Sequence, residues 1–147
     1  MQLAMAHWIY VTNSGNWKIT KEKNLLGATH RNKNAFSRVK PGDKCLIYVM
    51  SEAKPSEIVG EYEAISKCFK AANKIYHPPA NSPDETFILR IKLKPVRVFK
   101  TPIQFKPLVS GLVFIPNKKK WGLSLKGRAL IQIPKADYEF IISHFES

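Results

Sequence analysis

The sequence predicts an α+β domain, a small, curved and partly closed barrel of about five to six strands flanked by short helices and closed by a C-terminal helix. Three observations lead there. Strand-like runs recur through the chain with apolar residues alternating or filling both faces. A helix signal is inserted directly after the first run, and the last residues carry one apolar helical face. At 147 residues the chain fits one domain, 1–147, able to bury a core without staples. Residues 1–6 are expected to be a disordered lead, with Met5 as an alternative start.

The first strand runs over 7–13, where Trp8, Tyr10 and Thr12 alternate with Ile9 and Val11. Both of its faces are apolar, as in a central strand. Asn13 and Ser14 are helix-capping types, so a short helix is expected over 16–24, carrying Trp17, with Gly27 ending it or following closely. The polar, basic stretch 28–37 reads as a loop or a second short helix. Lys40-Pro41-Gly42-Asp43 is a turn signal, because proline presets the first central dihedral and glycine accepts the positive one. Strands follow over 44–50 and 58–65, joined by a hairpin connection that contains Pro55. In the second of these, Glu61 and Glu63 share one side while Gly60, Tyr62 and Ala64 share the other.

Residues 67–84 form a long polar insertion holding Phe69, Tyr76, His77, Pro78, Pro79 and Pro83. Loops of this length are often functional. Next comes a cleanly alternating strand, with Phe87, Leu89, Ile91 and Leu93 on one side and Ile88, Arg90, Lys92 and Lys94 on the other. Pro95 shifts the phase, which implies a bulge or an edge. Prolines 102, 107 and 116 then divide the chain into short pieces, with one helical turn over 105–109 and a basic loop over 117–121 ending in Trp121. The closing helix starts at Pro134 and presents Tyr138, Ile141, Ile142 and Phe145 on one face.

Charge says more about partners than about fold. The net charge is +13, from 24 Lys and Arg against 11 Asp and Glu. Between Glu85 and Asp137 there are twelve lysines and arginines and no carboxylate, and a second acid-free window runs from Lys23 to Gly42. A field of this size repels itself unless a polyanion lowers it, and nucleic acid is the default polyanion. Lysine enrichment of the thermophile kind would bring matching glutamate and leave no such windows. No apolar run approaches the ~18 residues of a membrane span, and the first residues have no basic segment before an apolar one, so a cytoplasmic location off the membrane is expected. Cys45 and Cys68 are too few and too far apart for a disulfide framework or a metal knuckle, and read as buried thiols in a reducing cytosol. His7, His30, His77 and His144 have no metal spacing, so neither metal nor cofactor is expected.

Taken in order, several segments resemble the EVE domain family of the PUA-like superfamily, which also contains the YTH domains. The opening Trp8-Ile9-Tyr10-Val11-Thr12-Asn13 carries the likeness, as does Ser37-Arg38-Val39-Lys40-Pro41-Gly42-Asp43-Lys44-Cys45-Leu46-Ile47-Tyr48. So do Ile58-Val59-Gly60-Glu61-Tyr62 and the late Phe114-Ile115-Pro116-Asn117-Lys118-Lys119-Lys120-Trp121. The chain is similar in particular to the small stand-alone archaeal and bacterial members. The resemblance implies a PUA-like pseudobarrel with a pocket beside the first strand. It also implies a reader that turns one modified base out of its strand into an aromatic cage.

Carried over residue by residue, the resemblance assigns a base pocket to Asn13, Ser14, Trp17, Leu26, Gly27, Ala28, Asn34, Tyr76 and Trp121. Leu26 replaces a tryptophan that YTH domains place in the cage, so Tyr76 or Phe69 from the insertion is expected to supply a wall, or else the preferred base differs. Phosphate contacts are assigned to Arg31, Lys33, Asn117, Lys118, Lys119 and Lys120. Plainer roles compete: Trp8 as core, Trp121 as a loop anchor, Asn13 as a helix cap, and the lysines as a solvated face. The expected function is a non-enzymatic nucleic-acid reader, with RNA or DNA and the oligomeric state left open. The alternatives are a small-ligand or protein-interaction module and, third, a nucleic-acid-processing enzyme. The eleven carboxylates form no cluster of the kind two-metal phosphodiester cleavage needs.

Overall fold

The computed structural model describes residues 4–51 and 53–145. It contains β1 (His7–Asn13), α1 (Ser14–Lys23), β2 (Leu25–Ala28), α2 (Lys33–Ser37), β3 (Lys44–Met50), β4 (Glu57–Ala64), β5 (Phe69–Lys70), β6 (Leu89–Gln104), β7 (Leu130–Ile133) and α3 (Lys135–Ile142). Short 3₁₀ turns lie at His30–Asn32, Lys106–Gly111 and Trp121–Ser124. Of the expected lead, residues 1–3 lie outside the described residues, while Ala6 is tied down: its N–H donates to Asp43 Oδ1 at 2.9 Å.

The sheet runs in the order β2-β6-β4-β3-β1-β7, with β5 beside β6, and curls into a half-barrel. β1 and β3 are parallel, and every other pairing is antiparallel. The curl is built into β6, whose first residues pair with β2 and β5 and whose remainder pairs with β4. Two register shifts bend the β4–β6 ladder, one of them where Pro95 sits opposite Tyr62. That is the bulge expected there, placed where proline's missing N–H does least harm.

Two short strands, β2 and β7, were not expected. The first helix ends at Asn24, the expected bound, which takes the left-handed conformation (φ 54°) and donates its N–H to the Thr20 carbonyl at 2.8 Å. Gly27 instead belongs to β2, a strand too short to show a period and fixed by pairing with β6. β7 was equally invisible, since four residues between a glycine turn and a proline carry no pattern of their own. In 28–37, the chain takes the short-helix alternative as a 3₁₀ turn followed by α2.

β1 shows how the pattern becomes two cores. Its Ile9 and Val11 join Leu46, Ile58, Ile131 and Ile133 under α3, where Tyr138 and Ile141 close the layer. Trp8 and Tyr10 point the other way, into the barrel interior with Cys45, Ile47, Tyr62, Leu26 and Ile91. Each fully buried large apolar side chain stabilises the fold by about 1.5–3 kcal/mol relative to exposure. Trp8 is thus core, and its Nε1 donates to Asp43 Oδ2 at 3.0 Å. Buried carboxylates hold the connections in place: Asp43 also accepts from the Lys40 N–H, and Asp137 accepts from the Val113 and Phe114 N–H groups at 2.9 and 2.8 Å. Glu61 accepts from Arg97 Nε at 2.9 Å and from the Tyr138 hydroxyl. Buried charges survive only when paired in this way.

Candidate functional site

A cavity of about 380 Å³ opens where β1 ends. Tyr10, Val11, Thr12 and Asn13 of β1 form its base, Gly27 and Ala28 of β2 one side, and Met50 at the end of β3 another. Thr29, Arg31 and Asn32 border it, Pro79 and Asn81 reach in from the long insertion and Phe87 from just before β6, and Gly127, Arg128 and Ala129 close the far rim.

The Phe87 side is interlocked. Phe87 stacks on Tyr76, with ring centroids 5.3 Å apart and planes at 21°. Tyr76 lies directly behind Gly27: a Cβ there would meet its ring at 2.3 Å, so only glycine permits this approach. The Tyr76 hydroxyl donates to the Leu25 carbonyl at 2.9 Å, and the Arg90 guanidinium sits 5.7 Å from its ring centre. Arg90, itself buried, donates to the carbonyls of Phe87 (2.8 Å) and Asn73 (2.6 Å) and to Asn73 Oδ1 (3.1 Å), so it ties the insertion at Asn73 to the residues just before β6. The Tyr10 hydroxyl donates to the Gly27 carbonyl at 2.6 Å. Burial raises the pKa of Tyr10 well above the ordinary phenol value and pushes that of Tyr76 upward, which keeps both as neutral donors.

The polar lining is largely committed on its acceptor side. Asn13 Oδ1 caps α1 by accepting from the Asn16 N–H at 2.9 Å. Asn16 grips the insertion through its side-chain amide, with Oδ1 accepting from the His77 N–H (2.8 Å) and Nδ2 donating to the His77 carbonyl (3.1 Å). Asn32 Oδ1 accepts from the Ala129 N–H at 3.1 Å and pins the far rim. The Nδ2 groups of Asn13 and Asn32 have no hydrogen-bond partner among the described residues and remain as donors. The two arginines of the lining differ in kind. Arg31 forms an ion pair with Glu85, its Nε donating to Oε1 at 3.0 Å, and this holds the Glu85 carboxyl below the usual range. Arg128 is exposed and has no ion pair among the described residues; it follows Gly127, whose φ of +75° makes the turn. No aspartate, glutamate, histidine or cysteine lines the cavity among the described residues.

Of the residues expected in a base pocket, Asn13, Gly27 and Ala28 line the cavity, and Ser14 is exposed beside Asn13. Tyr76 stands behind the wall. Leu26 is core, because alternation along β2 turns it inward next to Gly27. Trp17 packs edge-on against Tyr62 (6.1 Å) with the Lys21 ammonium 5.7 Å from its ring centre, since the helix presents Asn16 to the cavity and carries Trp17 round to the other side. Asn34 is exposed on α2 outside the lining, and Trp121 packs on Phe105 at 5.6 Å. Of the expected phosphate contacts, Arg31 lines the cavity and Lys33 does not. Lys118 donates to the Leu112 carbonyl, Asn117 Oδ1 accepts from the Lys120 N–H at 3.1 Å, and Lys119 is exposed. Phe87, Met50, Asn32 and Arg128 were missed. Phe87 had only its place at the start of a clean strand, and Arg128 only its position in the acid-free window after a glycine.

Comparison with known proteins agrees with this architecture. The profile of the EVE domain matches residues 6–144. A UPF0310 protein of Pyrococcus abyssi is 41% identical over 144 residues, spanning 95% of this chain and 99% of that protein. Human THYN1 in complex with 5-methylcytosine-containing DNA superimposes with a TM-score of 0.62 at 15% identity, over 97% of this chain and 99% of THYN1. The YTH domain of Zygosaccharomyces rouxii MRB1, in complex with N6-methyladenosine RNA, gives 0.60 at 15% identity, over 100% of this chain and 92% of that domain. No described helix is long and apolar enough to cross a membrane.

Proposed function

The chain belongs to the EVE domain family, and from that premise we propose that it binds nucleic acid and receives a single, modified base in the cavity at the end of β1. The observation that carries this reading is the composition of the cavity. It is a hollow of about 380 Å³ with aromatic rings at Phe87 and, in its base, Tyr10, and small backbone-like walls at Gly27 and Ala28. That volume lies within the ~300–1,000 Å³ of sites that enclose a small flat ligand. The Nδ2 donors of Asn13 and Asn32 suit the acceptor atoms of a base edge, and Arg128 at the rim suits the phosphate of the same nucleotide. Two relatives of the fold are bound to methylated DNA and methylated RNA, which supports the ligand class.

A binding module fits better than an enzyme. General acid–base chemistry needs a titratable group within reach of the ligand, and the described lining offers arginines, amides, hydroxyls and apolar groups instead. Cys45 lies in the interior, where burial pushes its thiol up and leaves it unreactive at neutral pH.

The test is equilibrium binding to short single-stranded DNA and RNA carrying 5-methylcytosine or N6-methyladenosine, each beside its unmodified counterpart, for the wild type and Phe87→Ala. Loss of stacking costs about 1–3 kcal/mol per base, so the variant should lose preference for a modified oligonucleotide and bind all of them to the same weak level. If wild type and variant discriminate equally, or neither discriminates, the base does not occupy this cavity.

A further inference from the structure

A second hollow, of about 400 Å³, lies beside the first and shares Arg128 with it. We propose that it is a subsite for the nucleotide next to the extruded base, so that the chain reads sequence context as well as modification. This rests on the base-binding reading above and extends it along the strand.

The hollow combines what a stacking platform needs with what a phosphate needs. Phe114 and Ile131 give it an apolar floor, and Leu123, 60% exposed, stands at its edge with nothing polar to justify its place in water. The floor is held still: the Phe114 N–H is fixed by the buried Asp137 carboxylate, and Ile131 belongs to β7. Lys120 and Arg128 line the same space, with Asn117 Oδ1 fixing the Lys120 backbone. The whole lining falls inside the acid-free window, so no carboxylate among it repels a phosphate. Lys118 is occupied by the Leu112 carbonyl, which leaves Lys120 as the lysine of the triplet that borders the hollow. Continuity decides the occupant. Among the described residues the one charged side chain common to both hollows is Arg128, so a strand with one base in the first cavity passes its adjoining phosphate over that guanidinium and delivers the next base to the apolar floor. Interleaved basic and apolar surface of this kind holds successive nucleotides without a base-edge code.

Oligonucleotides carrying 5-methylcytosine or N6-methyladenosine separate this from the parent reading when a neighbouring base is removed as a tetrahydrofuran abasic residue, on the 5′ side in one set and the 3′ side in another. For the wild type, one of the two should weaken binding about fivefold, the low end of base stacking on a protein surface, while the other changes little. Leu123→Ser, an exposed substitution outside the base cavity, should abolish that difference and leave the modified-over-unmodified ratio unchanged. If both abasic oligonucleotides bind as tightly as the intact one while the modification is still discriminated, the second subsite is refuted and the base reading stands. If Leu123→Ser retains the full abasic penalty, the neighbouring base lies elsewhere and the subsite is refuted. If no oligonucleotide binds, both fall together.

Discussion

The two sides of the cavity are built on opposite principles. On the Phe87 side, every group is committed to another: Gly27 admits Tyr76, Tyr76 stacks on Phe87, and Arg90 ties both to the insertion. On the Arg128 side, an exposed guanidinium follows a glycine turn and has no ion-pair partner among the described residues. The contrast separates two tasks. A flat ligand needs a wall that does not move, since a misplaced ring forfeits stacking. A phosphate needs a charge that is not already spent, because a paired arginine must lose one partner to gain another. Arg31 stands between the cases, at the lining but held by Glu85.

That comparison breaks most severely at the rigid side. Gly27→Ala drives a methyl into a ring that stacking and a hydrogen bond hold in place, so it should cost about 3 kcal/mol of stability and displace Phe87 as well. A denaturant melt together with the modified-oligonucleotide ratio checks this, and unchanged values in both would show that the wall is looser than described. Arg128→Ala should do the reverse. Affinity falls by about 1.5 kcal/mol, roughly tenfold, for every oligonucleotide, and the salt slope flattens by about 0.7 on single strands, with the melt unaltered. A variant with the wild-type salt slope would remove Arg128 from the phosphate path. The smallest effect sharpens the comparison at Arg31. Glu85→Gln releases its guanidinium from an exposed, solvent-screened ion pair, so binding should tighten about two- to threefold and steepen with salt, while Arg31→Ala in the native background changes little. Equal losses on removing Arg31 and Arg128 would mean that the pairing with Glu85 does not matter.

Much of the fold was legible because its long strands carry their own period. β1, β3 and the first half of β6 declare themselves by alternation or by two apolar faces, and the Pro95 bulge by proline's missing donor. β2 and β7 do not, since four residues hold too little pattern and their strand state is imposed by neighbours. The site was read less well for a related reason. The resemblance located Asn13, Gly27 and Ala28 along the chain, yet it put aromatic residues in the cavity by type, and the structure uses Trp17 and Trp121 to cover core and Tyr76 to support a wall. Acid-free windows mark where positive charge gathers along the chain. They cannot show that Glu85, outside both windows, pairs with Arg31 across the fold, or that Arg128 has no ion pair among the described residues.

β1 lies between β3 and β7, so the first strand of the chain is completed by the last, His7 opposite Ile133 and the Val11 N–H on the Ala129 carbonyl at 2.8 Å. Pairings this distant in sequence pay their loop-closure entropy before any contact repays it. During synthesis the far rim of the cavity, with Arg128, emerges after the rest of the lining, and the strand that must receive it waits with one edge open. Nascent chains that stall before β7 therefore expose the edge of β1 and hold only part of the ligand site, which makes binding competence a late event in the life of each molecule.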